Sequence, residues 1–195
     1  MKYKITLLII FAVVMAIGLS FGADKYGIDP AHSYAGFSVK HMVITNVKGN
    51  FTDFSGEINY DGSDITKSSV SVTIKAASIN TDNDTRDNHL RSSDFFNVEK
   101  FPELTFVSTK IEKSGDGIIM HGNLTMRGVT KEVAIPFEFT GKVTDPQGKE
   151  RIAFEGSTKI NRLDYGVSWS KSLDSGGLVV GDEVKIDLQV EAVKM

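Results

Sequence analysis

Apolar and polar residues alternate along most of this chain. In the first such run Phe37, Val39 and His41 share one face, with polar residues between them. The alternation changes phase by one residue at positions 52–53, which predicts a bulge. Eight alternating runs cover residues 37–43, 47–60, 70–76, 104–106, 118–126, 133–139, 152–160 and 184–192. Because Gly- and Asp-rich turns separate them and no strand–helix–strand rhythm occurs, the pattern predicts an antiparallel sandwich or barrel.

Residues 81–109 interrupt this pattern. Two short helices are predicted here, over 84–92 with Asp84 as the N-cap and over one turn at 94–97, and both need to pack on the strands to be stable. The ionisable residues are Asp82, Asp84, Arg86, Asp87, His89 and Arg91, and the large apolar ones are Leu90, Phe95, Phe96 and Phe101. Charged groups resist unpaired burial, whereas large apolar groups leave water. The combination suits the rim of an amphiphile-binding site and equally a loop held down by its aromatic residues.

The apolar faces of the predicted strands mix large side chains with glycines. The large residues are Phe37, Phe51, Phe54, Phe106, Met120, Leu124, Met126, Phe137, Phe139 and Phe154, and the glycines are Gly36, Gly49, Gly56, Gly122 and Gly156. Glycine inside a strand marks a bend or a close approach to the backbone, and methionine suits adaptable apolar contacts. The pattern fits a packed barrel core and a barrel that holds one ligand equally well.

The first residues have the pattern of a secretory signal peptide. Lys2 and Lys4 precede an uncharged apolar run over 5–17, and small residues at 18–23 allow cleavage after Gly22 or one residue later, after Ala23. The run is short for a membrane span, so we predict a leader over 1–22, export to the periplasm and no stable membrane span. Residues 23–195 then form one domain of 173 residues with 20 basic and 25 acidic side chains, a net charge of −5.

Composition argues against several functional classes. The acidic balance argues against a nucleic-acid partner, which needs clustered Lys and Arg. The absence of cysteine excludes disulfides, thiolate metal sites and a cysteine nucleophile. The four histidines form no metal-ligand spacing, and no nucleophile motif or phosphate loop is present. Binding is therefore favoured over catalysis, and neither a metal nor a cofactor is expected.

Several longer motifs connect the chain with a known family. They are DPAHSYAGFSVKHM at 29–42, VKGNF at 47–51, TRDNHLRSSDFF at 85–96, FPELTF at 101–106, LTMRGVTK at 124–131, NRLDYG at 161–166 and VGDEVKI at 180–186. Together they resemble the YceI-like family of secreted, lipocalin-like proteins over essentially the whole mature chain. The resemblance implies an all-β fold: an extended eight-stranded antiparallel lipocalin-like barrel with one or two short helices packed on it. It also implies a tunnel for a long isoprenoid or a related acyl-chain lipid, without catalysis.

With this resemblance, the inward-facing residues are interpreted as a lipid tunnel. The predicted ligand-binding residues are Phe37, Val39, His41, Phe51, Arg86, His89, Leu90, Arg91, Phe95, Phe106, Met120, Leu124, Phe137, Phe139 and Trp169. Burial of the lipid chain would contribute roughly 0.8 kcal/mol for each CH₂. Arg86, His89 and Arg91 would meet a phosphate or carboxylate head group at the tunnel mouth. The alternative for these arginines is a structural network with the neighbouring aspartates.

Two other functions stay open at this level. An enzyme acting on the lipid would need a reactive pair in the tunnel, with His41 or His89 beside an aspartate. A stress-related interaction module would have a barrel that is packed solid. The sequence demands no protein partner and allows a homodimer.

Overall fold

The computed structural model describes residues 22–115, 117–172 and 176–195. The predicted leader over 1–22, apart from its last residue, lies outside the described residues. The strands in chain order are β1 (Asp24–Ile28), β2 (Tyr34–His41), β3 (Thr45–Phe51), β4 (Phe54–Tyr60), β5 (Ser69–Lys75), β6 (Ile79–Asn80), β7 (Glu103–Ser114), β8 (Gly117–Met126), β9 (Val129–Thr144), β10 (Glu150–Asn161) and β11 (Val180–Lys194). One α-helix, α1 (Asp84–Arg91), lies between β6 and β7.

The strands close into an antiparallel ring with eight positions. Starting from β1, the order runs through β4, β5, β7, β8, β9, β10 and β11, and β11 returns to β1. The closing ladder pairs Tyr26 with Lys194 and Ile28 with Ala192. The ladders of the ring are all antiparallel. The predicted all-β fold with an eight-stranded barrel is confirmed.

Three of the eight positions are divided into two shorter strands. β1 and β2 are separated by the turn Pro30–His32, β3 and β4 by residues 52–53, and β5 and β6 by the turn Ala76–Ser78. β11 pairs with β1 near its end and with β2 over residues 180–189. The phase change predicted at 52–53 is a break between two strands rather than a bulge within one. The predicted runs included neither β1 nor β6.

The helix α1 begins one residue earlier than the sequence indicated. Asn83, whose backbone is extended, is the N-cap, and its side chain accepts a hydrogen bond from Arg86 N. The prediction of Asp84 as the N-cap is therefore wrong, because Asp84 already lies in the first helical turn. The helix ends at Arg91, where the Ser92 N–H donates to the His89 carbonyl. Residues 94–97, predicted as a second helix, form a non-helical turn.

Two clusters of buried side chains lie towards the two ends of the barrel. The first contains Phe51, Ala76, Ile79, Phe95, Leu104, Met126, Tyr165 and Val167. The second contains Tyr26, Ile58, Ile152 and Ala192. On β10, Ile152 belongs to the second cluster while Ile160 packs against the first. The space between the clusters is the interior of the barrel.

Candidate functional site

An apolar cavity of about 270 Å³ lies inside the barrel. Each of the eleven strands contributes at least one residue to its lining. Leu90 of α1, together with Phe95 and Phe96 of the following turn, lines the end beside the first buried cluster. The interior is therefore not packed solid, which argues against the interaction module with a filled barrel.

Glycines allow aromatic side chains to lie against the barrel wall. A Cβ on Gly49 would lie 2.6 Å from Cζ of Phe37, and Gly122 is covered in the same way by Phe106. Real Cβ atoms do not come this close to other atoms, so only glycine permits these ring positions. The close approach that strand glycines predict is thus made by neighbouring aromatic rings. The rings lie beside the cavity instead of filling it.

Nine of the predicted ligand-binding residues line the cavity. They are Phe37, Val39, Phe51, Leu90, Phe95, Phe106, Met120, Leu124 and Phe137. The alternation on β11 also contributes Val184, Ile186, Leu188 and Val190, which the prediction left out although they share one face of a recognised run. The period of two along the strands is the signal that could have found them.

Arg86 and Arg91 do not line the cavity, and their guanidinium groups bond to the protein itself. Arg86 donates one hydrogen bond to the Thr81 hydroxyl and one to the Thr81 carbonyl, and both are 2.7 Å long. Arg91 donates to the carbonyls of Ala77 at 2.7 Å and Ile79 at 2.8 Å. These bonds tie α1 to the segment before it. These hydrogen bonds resemble the structural network of the alternative, although their acceptors are mainly backbone oxygens rather than aspartates.

His89 and Trp169 lie behind the cavity wall. The His89 ring stands edge-on to Trp169, with centroids 4.9 Å apart, and its Nε2 lies 2.8 Å from Asp94 Oδ2. Trp169 also packs against Phe95, at 5.3 Å between ring centroids. Because Phe95 itself lines the cavity, Trp169 supports the lining without being part of it.

His41 and Phe139 also lie outside the lining. His41 is the last residue of β2 and pairs with Thr45 across the turn to β3. Phe139 stacks on Tyr60 with ring centroids 5.4 Å apart and also contacts Phe154. Phe139 therefore extends the second buried cluster, although it shares the inward face of β9 with Phe137.

Arg162 is the cationic side chain of the lining, and the prediction gave it no role. It is 4 % exposed and lies in the NRLDYG motif after β10. Its guanidinium donates to four backbone carbonyls and to Asp182 Oδ1, so every N–H has an acceptor; the carbonyls are those of Val167, Trp169, Val180 and Gly181. Burial lowers the pKa of Arg162, and Asp182 opposes that effect. The side chain fixes the connection to β11 and leaves no donor for a ligand.

Ion pairs and a buried tyrosine hold the other end of the barrel. Hydrogen bonds from Lys142 and Tyr26 lower the pKa of Glu150 to about 2, and burial together with Glu150 raises the pKa of Tyr26. Nearby, His32 and Arg151 lower the pKa of Asp29 to about 2.

Arg151 also occupies the carboxylates that could otherwise hold an ion. Asp29, His32 and Glu191 place one donor atom each within 4.8 Å of one another. Arg151 Nη1 lies 2.8 Å from Asp29 and 2.5 Å from Glu191, while its Nε pairs with Asp145 at 2.8 Å. The guanidinium thus supplies the positive charge at this cluster.

A closed antiparallel barrel around an apolar cavity defines a lipocalin-like protein. The chain belongs to the YceI-like family, whose domain model matches residues 26–192. A UPF0312 protein of Shewanella baltica is 38% identical over 197 residues, which cover 100% of both chains. Among the described residues, no helix combines the length and apolar character needed to cross a bilayer.

Solved structures have the same fold. BcnA of Burkholderia cenocepacia is similar with a TM-score of 0.74 and 25% identity, covering 84% of this chain and 98% of that one. A polyisoprenoid binding domain from Saccharophagus degradans, implicated in plant cell wall breakdown, is similar with a TM-score of 0.66. It is 16% identical and covers 87% of this chain and 98% of the other, so this likeness concerns the fold alone.

Proposed function

We propose that this protein binds a long-chain isoprenoid, or a related amphiphile with an acyl chain, and carries or sequesters it without chemical change. The apolar cavity inside the barrel is the observation that carries the proposal. The Saccharophagus domain, which shares the fold and is a polyisoprenoid binding domain, supports the ligand class. Nothing in the proposal needs a cofactor.

The size of the cavity sets a condition on the ligand. Its volume of about 270 Å³ lies just below the roughly 300–1,000 Å³ of ordinary small-molecule sites. A long chain therefore enters only if lining side chains move, and Met120 with its flexible thioether is suited to that. Each CH₂ taken up contributes roughly 0.8 kcal/mol, which offsets the cost of moving them.

The residues around α1 set a second condition, on the head group of the ligand. Arg86, His89 and Arg91 stay the predicted partners of a phosphate or carboxylate. A charged head group at the end of the cavity beside α1 would have to compete with the hydrogen bonds that Arg86 and Arg91 already make to backbone carbonyls. An uncharged or weakly polar head group avoids that competition, because it requires no cation to be released.

The geometry gives no support to the histidine-dependent enzyme. No histidine is found among the lining residues of the described chain. If a turnover of the bound lipid were detected, His41→Ala and His89→Ala variants that kept all of it would eliminate that mechanism.

We also propose that the protein works in the periplasm after removal of residues 1–22, and N-terminal sequencing of the secreted form tests this. Self-association into a homodimer stays a prediction.

Native mass spectrometry of the purified protein tests the binding proposal. We expect a stoichiometric mass increment that organic extraction releases as an isoprenoid or acyl-chain lipid. Val184→Phe, which adds volume to the lining, should lose this ligand. Val143→Phe, on an exposed side chain of β9, should keep it. A wild-type protein that stays free of ligand after incubation with polyprenyl, quinone and fatty-acyl lipids would refute the proposal.

A further inference from the structure

The turn between β2 and β3 exposes three consecutive large apolar side chains. Met42 is 41%, Val43 62% and Ile44 84% exposed. Runs of exposed apolar residues are avoided on the surface of a soluble protein unless another surface covers them. We call residues 42–44 the apolar tip.

The backbone of the apolar tip is one that its residues disfavour. Met42 has φ 50° and Val43 φ 67°, and the Ile44 N–H donates to the His41 carbonyl at 3.2 Å. Left-handed conformation at both central positions is typical of type I′ turns, which favour Asn and Gly. A β-branched valine there is uncommon and strained. The chain thus keeps apolar side chains where Asn-Gly would form the turn more easily.

The apolar tip is held in place by its neighbours. The Met42 N–H donates to the Val179 carbonyl at 2.9 Å, and the Val179 N–H donates to the Lys171 carbonyl at 2.8 Å. A Cβ on Gly177 would lie 3.0 Å from a methyl group of Val43. The exposed side chains are therefore presented on an ordered hairpin.

Three exposed lysines lie on the segments that carry and anchor the apolar tip. Lys40 precedes it on β2, Lys48 follows it on β3, and the Lys171 backbone is linked to it through Val179. All three lysines are exposed, and within residues 22–115, 117–172 and 176–195 none forms an ion pair with a carboxylate. The nearby carboxylate of Asp182, which follows the Gly181 beside Lys40, is engaged by Arg162. An apolar tip with exposed lysines nearby fits the interface of an anionic bilayer, where apolar groups enter below the head groups and lysines meet phosphates.

The apolar tip also lies close to the cavity. Val39 lines the cavity and stands three residues before Met42, which is about 10 Å along a strand. Val180, which also lines the cavity, directly follows the Val179 that anchors the tip. A membrane that received the tip would therefore lie near one end of the cavity.

From these observations we infer that residues 42–44 insert into the surface of an anionic lipid bilayer and that Lys40, Lys48 and Lys171 bind its phosphate groups. Attachment is peripheral and reversible, because one short tip buries little area. The attachment would serve to exchange a lipid between the bilayer and the cavity, and this role rests on the proposed function. The attachment itself does not.

Co-sedimentation with vesicles tests the inference directly. We expect the wild-type protein to bind vesicles of phosphatidylcholine with phosphatidylglycerol more tightly than vesicles of phosphatidylcholine alone, and to be released by salt. Val43→Asp and Ile44→Asp should each weaken binding about tenfold or more. Lys48→Glu should weaken only the binding to anionic vesicles, by at least about fivefold. Val143→Asp, at an exposed valine of β9, is the control that should bind like the wild type.

A second variant separates membrane binding from folding. Met42→Asn combined with Val43→Gly supplies the preferred turn residues, so its urea midpoint should equal or exceed that of the wild type while vesicle binding falls. Equal binding by this variant and the wild type, or no binding by the wild type to either vesicle, overturns the inference. Native mass spectrometry of the same variants after incubation with dispersed lipid, without vesicles, keeps the two proposals apart, because none of the substituted residues lines the cavity.

Discussion

The ring of Phe106 lies against the backbone of Gly122 on the neighbouring strand. A Cβ on residue 122 would be 2.3 Å from Cζ of Phe106 and 2.7 Å from the Val107 carbonyl oxygen. The ring can move, but the carbonyl belongs to the β7–β8 ladder and cannot move without disturbing it. The position of this glycine therefore determines both the course of the strand and the room left in the cavity.

Gly122→Ala should lower the free energy of unfolding and reduce the amount of bound ligand. Overpacking of this kind costs about 1–3 kcal/mol, and the displaced Phe106 ring would enter the cavity. Adding Phe106→Leu should recover part of the stability but not all of it, because the contact with the Val107 carbonyl remains. Urea unfolding measures the stability and native mass spectrometry the ligand.

The matched control for this prediction lies on the same strand. Gly117→Ala meets no atom closer than 3.7 Å, so it should leave both quantities unchanged. Equal stability and ligand content in Gly122→Ala and Gly117→Ala would show that the contact between Phe106 and Gly122 has no such role.

Arg162→Lys should destabilise the protein by about 3 kcal/mol or more. Lysine cannot reach the four carbonyls and the carboxylate that Arg162 bonds, and buried acceptors left without a donor are costly. Urea unfolding reports the loss. Hydrogen exchange should locate it in residues 166–172 and 176–181.

Leu163→Ala is the neighbouring control for Arg162, because Leu163 is 41% exposed whereas Arg162 is buried. It should unfold close to the wild-type midpoint. An Arg162→Lys protein that unfolded like Leu163→Ala would mean that the buried guanidinium does not hold this connection.

Stability should decrease in acid between about pH 4.5 and pH 2. The pKa values of Asp29 and Glu150 are about 2 in the folded protein, below their ordinary values of 3.8 and 4.5. A carboxyl whose pKa is lowered by folding stabilises the fold above the unfolded-state pKa. That contribution is lost as pH falls through the folded-state pKa.

Urea midpoints measured from pH 7 to pH 2 check this behaviour. Asp29→Asn should be less stable at neutral pH and should show a shallower loss in the acid range. Glu99→Gln, at an exposed side chain, should retain the wild-type slope. Parallel slopes in all three proteins would rule out a contribution from Asp29.

Alternation was enough to predict an antiparallel sandwich or barrel, since each inward face repeats every second residue. The choice of the eight-stranded barrel came from the resemblance to the YceI-like family. It could not reveal β1, because Asp24–Ile28 is short and Gly27 interrupts its pattern, yet β1 closes the ring. β6 has two residues, too few for any period to appear. The helix in the interrupting segment was predicted correctly, but its N-cap depended on which of two adjacent residues has an extended backbone.

The site was predictable where it depends on strand faces and not where it depends on tertiary contacts. Phe37, Phe106 and Phe137 line the cavity because their strands turn them inward. The hydrogen bonds of Arg86 and Arg91 depend on carbonyls that the fold brings beside α1, and no local sequence pattern contains that information. Arg162 lines the cavity but was not predicted, because in the sequence it looks like a charged loop residue. Phe139 was predicted from its inward face on β9 but packs against the second buried cluster instead.

The ladder between β1 and β11 governs when the molecule can become closed. Tyr26 and Lys194 are 168 positions apart along the chain, so the ring is completed only by a contact of very long range. Hairpins such as β2–β3 can form as soon as their own residues are present, whereas closing so long a loop is slow and entropically costly. A nascent chain therefore keeps its apolar interior accessible until β11 arrives, so a hydrophobic ligand can also be enclosed in that last step.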